Sequence, residues 1–301
     1  MRCTSPLAAF RTEDGKVVFS AGVRRDIHHS LTLPCGQCGA CRLERSRQWA
    51  TRCMHEAQMH EENCFLTLTY SDEHLPSDWS LDHRDFQMFM KRLRKHLGKK
   101  AVKFYMCGEY GEKFDRPHFH CVLFGHDFDD KRPWRQSASG HKTYRSDVLE
   151  KLWPFGHVEI GDVTFESAAY VARYVMKKIN GRLAEESGHY QFCDLETGEL
   201  FSKKPEYNQM SKGLAKSWYE KYKDDVRNYD HVVVRGHECK VPRYYDKLLQ
   251  AEDPEEFELV KARRYERARD RNDPEEDTPE RDAVRAKVLD AKLRMLKREL
   301  V

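Results

Sequence analysis

The chain has 301 residues, 39% hydrophobic and 34% charged, with a formal net charge of +3. That balance fits a water-soluble chain of one large or two small domains and excludes a collagen-like or low-complexity protein. No run approaches the roughly 18 apolar residues of a membrane span, and residues 1–10 lack a signal-peptide pattern, so neither a membrane anchor nor export is expected and the expected location is the cytoplasm. There, ten cysteines point to metal binding rather than to a disulfide framework.

In chain order, the first chemistry-bearing feature is Cys35, Cys38 and Cys41. Two overlapping Cys-x-x-Cys spacings with glycines between them make a knuckle of three thiolates. A structural Zn2+ needs a fourth ligand, for which Cys3 is the first candidate and Cys53 the second; the alternative is a set of free thiols. Residues 42–60 then carry a helical pattern through Leu43, Ser46, Ala50, Cys53, Met54 and Ala57. Residues 64–70 form a strand in which Phe65, Thr67 and Thr69 share one face while Leu66 and Leu68 share the other. A helix follows with Asp82 as N-cap, Leu81 and Phe86 as hydrophobic staple, a stripe of Phe86, Phe89, Met90, Leu93 and Leu97, and Gly98 at its end.

Residues 102–107 read as a strand, residues 108–111 as the turn that follows, and residues 117–124 as the returning strand, giving an antiparallel hairpin. His118 and His120 alternate with Phe119 and therefore project from one face, about 7 Å apart along the strand. Two imidazoles so placed can bind one divalent metal; the alternative is a polar pair on a wet face. Glu109, nearer the strand end than Glu112, is the preferred oxygen ligand, against a solvated turn acid.

Two stretches are basic without any acid. Residues 91–103 hold Arg92 and Lys95 among other cations, and residues 131–145 form a loop with Arg132 and Arg135 around Trp134. Cations neutralise phosphates and aromatic faces stack on unpaired bases, so these residues, with Thr67 and Thr69, are candidate contacts to single-stranded DNA; solvated charged faces are the alternative. A short helix over 146–152 and a strand over 157–163 come next. Thr164 then caps a helix with Ala168, Val171, Val175 and Ile179 as apolar stripe, and Tyr170, Tyr174 and Lys177 on another face.

A Thr-rich apolar strand (residues 65–70), a Gly-Glu-Tyr-Gly segment (108–111) followed by Arg-Pro-His-Phe-His (116–120), and Tyr-Val-Ala-Arg-Tyr-Val-Met-Lys-Lys (170–178) occur in this order. Together with the cysteine cluster they resemble the two-tyrosine HUH endonucleases that initiate rolling-circle replication, in particular those of gokushovirus-like Microviridae phages. The resemblance covers roughly residues 1–182. It implies a central antiparallel sheet of RRM or ferredoxin-like type, Mg2+ or Mn2+ held by His118, His120 and Glu109, and Tyr170 and Tyr174 as nucleophiles assisted by Lys177 or Lys178. It implies a 5′-phosphotyrosine link to origin DNA, a freed 3′ hydroxyl, host helicase and polymerase as partners, and the host bacterial cytoplasm as the place of action.

Beyond residue 181 the sequence gives a hairpin near 190–200, a helix over 212–222 and a strand over 229–241, with no assignable chemistry. Two highly charged helices, near 255–271 and 280–300, form the tail, the second with a thin stripe of Val284, Val288, Ala291 and Met295. The expected fold is α+β, with flanking helices, an N-terminal cysteine knuckle and a charged helical C-terminal tail. The expected divisions are 1–62, 63–182, 183–250 and 251–301. Two other functions fit the same residues: a non-catalytic single-stranded nucleic-acid-binding module, and a phosphodiesterase in which water attacks.

Overall fold

The computed structural model describes residues 2–20, 27–111, 114–136, 140–177, 188, 190–193, 198–270 and 278–294. In chain order they comprise β1 (Leu7–Thr12), β2 (Val17–Val18), β3 (Ile27–Leu33), α1 (Gly39–Ala57), β4 (Asn63–Tyr70), α2 (His83–Leu97), β5 (Lys103–Tyr110), β6 (Pro117–Phe124), β7 (Arg132–Gln136), β8 (Lys142–Arg145), α3 (Asp147–Leu152), β9 (Gly156–Gly161) and α4 (Phe165–Lys177). Then follow β10 (Gln191–Cys193), β11 (Leu200–Ser202), β12 (Tyr207–Met210), α5 (Lys216–Tyr229), β13 (Val232–Val234), β14 (His237–Cys239), α6 (Arg243–Glu252), α7 (Pro254–Asp270) and α8 (Pro279–Arg294). The chain divides into two compact units: Met1–Arg45 with Lys261–Leu296, and Ser46–Val260 with Lys297–Val301. The fold is α+β.

The larger unit is built on a seven-stranded sheet in the order β12-β5-β6-β4-β9-β8-β7, with every neighbouring pair antiparallel. Within it, β4-α2-β5-β6-α3-β9 is a βαββαβ unit, the ferredoxin-like arrangement. Strand alternation divides the core in two. Leu66, Leu68, Phe119, Cys121 and Leu123 pack with Phe86, Phe89, Met90 and Leu93 of α2 and with Leu149 and Leu152 of α3. Phe65, Tyr105, Val122 and Phe124 pack with Ala50 and Cys53 of α1 and with Ala168, Val171 and Ala172 of α4. Helices cover both faces, which is why the central strands read as nearly unbroken apolar runs. The polar breaks in those runs then have to be explained by the site they form.

The caps of α2 follow the sequence: Asp82 accepts from the Arg84 N–H at 2.8 Å, and Gly98 ends the helix at φ 61°. Three elements differ from expectation. Strand β5 continues past Cys107 to Tyr110, because its pairing with β6 runs on to Tyr110 opposite Pro117, while β12 pairs with it as far as Gly108, opposite Tyr207. The stretch 131–145, expected as a loop, forms the β7–β8 hairpin; Pro133 is tolerated at a register shift in an edge strand, where no donor is needed. The expected strand over 229–241 is a two-stranded hairpin, β13 with β14. A satellite core under these elements joins Tyr219 and Val226 of α5, Val232 and Tyr245.

In the smaller unit β1 pairs with both β2 and β3, and the cysteine knuckle leads into α1. Leu289 and Leu293 of α8 approach Gly39, where a Cβ would lie 3.6 and 3.5 Å from their methyl groups. Val284 and Val288 are each 48% exposed, so the apolar side of α8 is not the stripe read from the sequence. Among the described residues, no helix is long and apolar enough to cross a membrane.

Candidate active site

The face of the sheet that carries Phe65, Val122 and Tyr105 turns polar toward one end. Register fixes which side chains meet there: Glu109 lies opposite His118, and His118 in turn lies opposite Thr69, while His120 lies between Cys107 and Thr67. Cross-strand partners share a face, so the longer β5 carries Glu109 onto the imidazoles rather than into a solvated turn. Glu109 Oε1 is 2.7 Å from His118 Nε2 and 2.9 Å from His120 Nε2, and its Oε2 is buried without a hydrogen-bond partner. The three donor atoms lie within 4.8 Å of one another.

Helix α4 closes the site. Thr164 Oγ1 accepts from the Ser167 N–H at 3.1 Å, while Ser167 Oγ receives the Thr164 N–H at 2.8 Å; this reciprocal cap fixes where the helix begins. Two residues outside the βαββαβ unit brace it. Ser46 donates to the Ala169 carbonyl at 3.3 Å and Asn208 to the Val171 carbonyl at 3.0 Å, one on each side of Tyr170. The Tyr170 hydroxyl donates to Glu109 Oε1 at 3.2 Å, and its ring stands edge-on to His120 with centroids 5.1 Å apart.

The second nitrogen of each imidazole is also held. His118 Nδ1 lies 3.0 Å from the Arg116 carbonyl and His120 Nδ1 lies 3.0 Å from Thr67 Oγ1. Since the Arg116 carbonyl only accepts, it holds a proton on His118 Nδ1, so Nε2 is the nitrogen left for the carboxylate, donating to it when protonated and offering a lone pair to a cation when not. Burial pushes the Glu109 carboxyl up, but the imidazoles of His118 and His120 outweigh it and hold it at about 2. A carboxylate with one oxygen shared by three groups and the other unpartnered, beside two oriented imidazoles, has the donor set and the vacant acceptor capacity of a divalent-cation site.

The remaining residues singled out in the sequence fall as follows. Tyr174 follows Tyr170 by one turn on α4 and Lys177 is the last residue of that helix; Lys178 and Glu112 lie outside the described residues. Thr67 is buried and its hydroxyl is spent on His120, while Thr69 is half-buried between His118 and His157. Arg92 donates to the Leu152 carbonyl at 2.7 Å and lies over Phe155, joining α2 to α3, whereas Lys95 is exposed. On the β7–β8 hairpin Arg132 pairs with Asp147, Arg135 reaches Glu159 at 2.6 Å, and Arg145 stacks on the half-exposed Trp134 at 3.8 Å. Sequence reasoning did not single out Arg173, whose guanidinium carbon is 6.0 Å from the Tyr170 ring centroid, although it lies in the Tyr-x-x-x-Tyr segment.

In the smaller unit the sulfur atoms of Cys3, Cys35, Cys38 and Cys41 lie within 4.8 Å of one another. Cys3 Sγ is 3.6 Å from Cys35 Sγ and 3.7 Å from Cys38 Sγ, far beyond a disulfide bond. Four thiolates about 2.3 Å from a tetrahedral zinc stand about 3.8 Å apart, which these spacings match. The backbone N–H groups of Gln37 and Cys38 point at Cys35 Sγ, as a thiolate requires. Cys53, the other candidate, is instead buried in the core of the larger unit.

Comparison with known proteins supplies the family. Residues 63–179 match the family described as replication-associated protein ORF2. The chain is 35% identical over 265 residues to replication-associated protein VP4 of Bdellovibrio phage phiMH2K, spanning 85% of this chain and 80% of that protein. It is 30% identical over 281 residues to replication-associated protein ORF2 of Spiroplasma virus 4, spanning 86% and 83%. With replication-associated protein ORF4 of Chlamydia phage 1 the identity is 35% over 229 residues, spanning 73% of this chain and 54% of that protein. No solved structure gives a significant match. Glu109, both histidines and Tyr170 fall inside the matched segment, and the chain belongs to the family of phage replication-associated proteins.

Proposed function

We propose that the chain is a replication initiator that nicks and rejoins single-stranded DNA at an origin through a 5′-phosphotyrosine intermediate, so starting rolling-circle replication of a small phage genome. The observation that carries this reading is the Tyr170 hydroxyl, 3.2 Å from the Glu109 oxygen on which His118 and His120 converge. A nucleophile and a cation-binding donor set share one atom, the economy that phosphoryl transfer needs.

Glu109, His118 and His120 would hold Mg2+ or Mn2+, and the ion would supply a Lewis acid for a non-bridging oxygen of the scissile phosphate. Glu109 orients the phenol by accepting its hydrogen bond, and Thr67 and the Arg116 carbonyl fix the two rings. As Tyr170 gives up its phenolic proton to solvent and its Oη–P bond forms, the P–O3′ bond breaks. The phosphate stays on the 5′ side of the DNA and the released oxygen takes up a proton as a 3′ hydroxyl for a host polymerase. Tyr174, one turn away, would allow a second cleavage while the first tyrosine still holds an end, with Lys177 and Lys178 as cations near the reacting phosphate. The Cys3, Cys35, Cys38 and Cys41 cluster would hold a structural Zn2+. The hairpin with Trp134, Arg132 and Arg135, and Lys95 on α2, would contact the strand, with a host helicase separating it.

The test is to incubate the full chain with labelled single-stranded origin DNA and Mn2+ and then to boil it in detergent. A covalent adduct lost only when both Tyr170 and Tyr174 become Phe supports strand transfer. Cleavage without an adduct favours attack by water, and binding without cleavage favours a passive module.

A further inference from the structure

Beside the histidine site the same sheet face holds an open groove between β4, β9, β8 and the start of α4. Its position follows from register. Thr67 lies opposite His120 on one side and Glu159 on the other, so Glu159, Thr67 and His120 form one row across three strands. At about 4.8 Å per strand, Glu159 stands about 10 Å from His120.

Two features make this a built recess rather than a gap. Gly161 lies opposite Phe65, and a Cβ on it would sit 3.8 Å from the Phe65 ring; without one, that ring forms part of the floor. Glu159 lines the same groove. Arg135 holds its Oε1 at 2.6 Å, and its Oε2 is a buried acceptor without a hydrogen-bond partner. A buried carboxylate oxygen left unpaired is costly unless a ligand donates to it. Arg135 offsets the charge of Glu159, and Lys142 stands in the same lining with Asp162, so Glu159 Oε2 suits a neutral hydrogen-bond donor more than a cation.

We propose that this groove takes the base of the nucleotide next to the scissile phosphate and selects one that carries an exocyclic amine, with Glu159 as the specificity-determining residue. Cytosine, adenine and guanine each present an amine that donates to a carboxylate. Thymine presents two carbonyl oxygens around a single N–H, and those oxygens repel the carboxylate. The apolar floor at Phe65 receives the flat face, and Thr164 and Ser167 line the groove at the start of α4. The proposal rests on the strand-transfer reading only for where the phosphate sits.

The experiment measures fluorescence anisotropy of short, labelled deoxycytidine and thymidine homopolymers with the full chain, without added metal. The deoxycytidine strand should bind about tenfold more tightly, the weight of one charge-assisted hydrogen bond. Glu159→Gln, whose amide also donates, should bring the two strands within about threefold by improving thymidine binding. Gly161→Val, whose Cβ meets only ordinary contacts, should fill the floor and lower deoxycytidine binding about tenfold. On the wild type alone, an adenine-containing strand should lose about as much when its adenines are replaced by unsubstituted purine, so the test does not depend on a variant that folds. Equal binding of both homopolymers by the wild type would overturn the proposal, as would an equal gain for both in Glu159→Gln. An adduct in the detergent assay without discrimination sinks the groove and leaves the reaction standing; discrimination without an adduct does the reverse.

Discussion

Replacing Thr67 by Val isolates the hydrogen bond that orients one candidate metal ligand. Thr67 is 8% exposed and His120 is 2% exposed, and the hydroxyl stands 3.0 Å from Nδ1. Valine keeps the shape of threonine, so the change leaves no sizeable cavity and removes one hydrogen-bond partner. An imidazole nitrogen left buried and unpaired costs about 1–3 kcal/mol of stability. Loss of a partner that orients a ligand weakens metal binding about 10- to 100-fold, equivalent to about 1.4–2.7 kcal/mol. The assay is a calorimetric titration of Mn2+ into DNA-free protein, with a thermal melt alongside. Thr67→Val should bind Mn2+ at least tenfold more weakly, and Thr67→Ser should match the wild type. A Thr67→Val protein that melts lower yet binds Mn2+ as tightly as the wild type would refute the reasoning and leave Thr67 a packing residue.

Other outcomes follow from features away from that row. His55 stacks on Trp218 at 3.5 Å between ring centroids, meets Tyr245 at 2.7 Å, and is pushed by burial from 6.5 to about 3. Because its folded pKa is the lower one, the unfolded chain binds the proton first; this contribution is intact above pH 6.5 and falls as the pH drops toward 3. Between pH 7 and pH 5 the wild type should lose about 2 kcal/mol more than His55→Gln in denaturant titrations, and equal losses would show that His55 does not titrate this way. Gly156 has φ 156°, and a Cβ there would lie 2.2 Å from the Ser71 nitrogen and 2.4 Å from the Thr69 carbonyl oxygen. Gly156→Ala should therefore cost more than about 3 kcal/mol, read as loss of soluble, cooperatively melting protein. Cys35→Ser should lower the zinc bound per chain in elemental analysis and destabilise the smaller unit; a zinc-free wild type that melts normally would rule out the structural ion.

The parts of this fold that were legible in the sequence are those set by local rules. Asp82, the Phe86–Phe89–Leu93 spacing and Gly98 define α2 within one short segment, and residues 64–70 and 117–124 announce their strands by β-branched and aromatic content. The pairing of His118 with His120 followed from strand alternation alone. What was not legible depended on partners far away in the chain. Strand β12 is a short, polar Tyr-Asn-Gln-Met whose existence rests on the free edge of β5, about a hundred residues earlier. The pairing of β5 with β6 extends β5 to Tyr110 and so decides that Glu109 faces the histidines. Thr67 and Arg92 show the same dependence on distant partners: composition gives no sign that the hydroxyl of one meets His120 or that the guanidinium of the other meets the Leu152 carbonyl.

The braces on α4 bear on how this protein could be cut down. The segment matched by the family ends at 63 and 179, yet the hydroxyl that holds the Ala169 carbonyl comes from Ser46 and the amide that holds the Val171 carbonyl comes from Asn208. An excised 63–179 fragment would keep Glu109, both histidines and Tyr170 and would lack both tethers beside the tyrosine. Its strands would still bring the ligands together, because β4, β5 and β6 pair among themselves, while the tyrosine would lose its registration against them. The smallest truncation that preserves the spacing between Tyr170 and the Glu109, His118 and His120 cluster therefore begins before residue 46 and ends after residue 210, and the family boundary leaves out residues that hold the tyrosine in place.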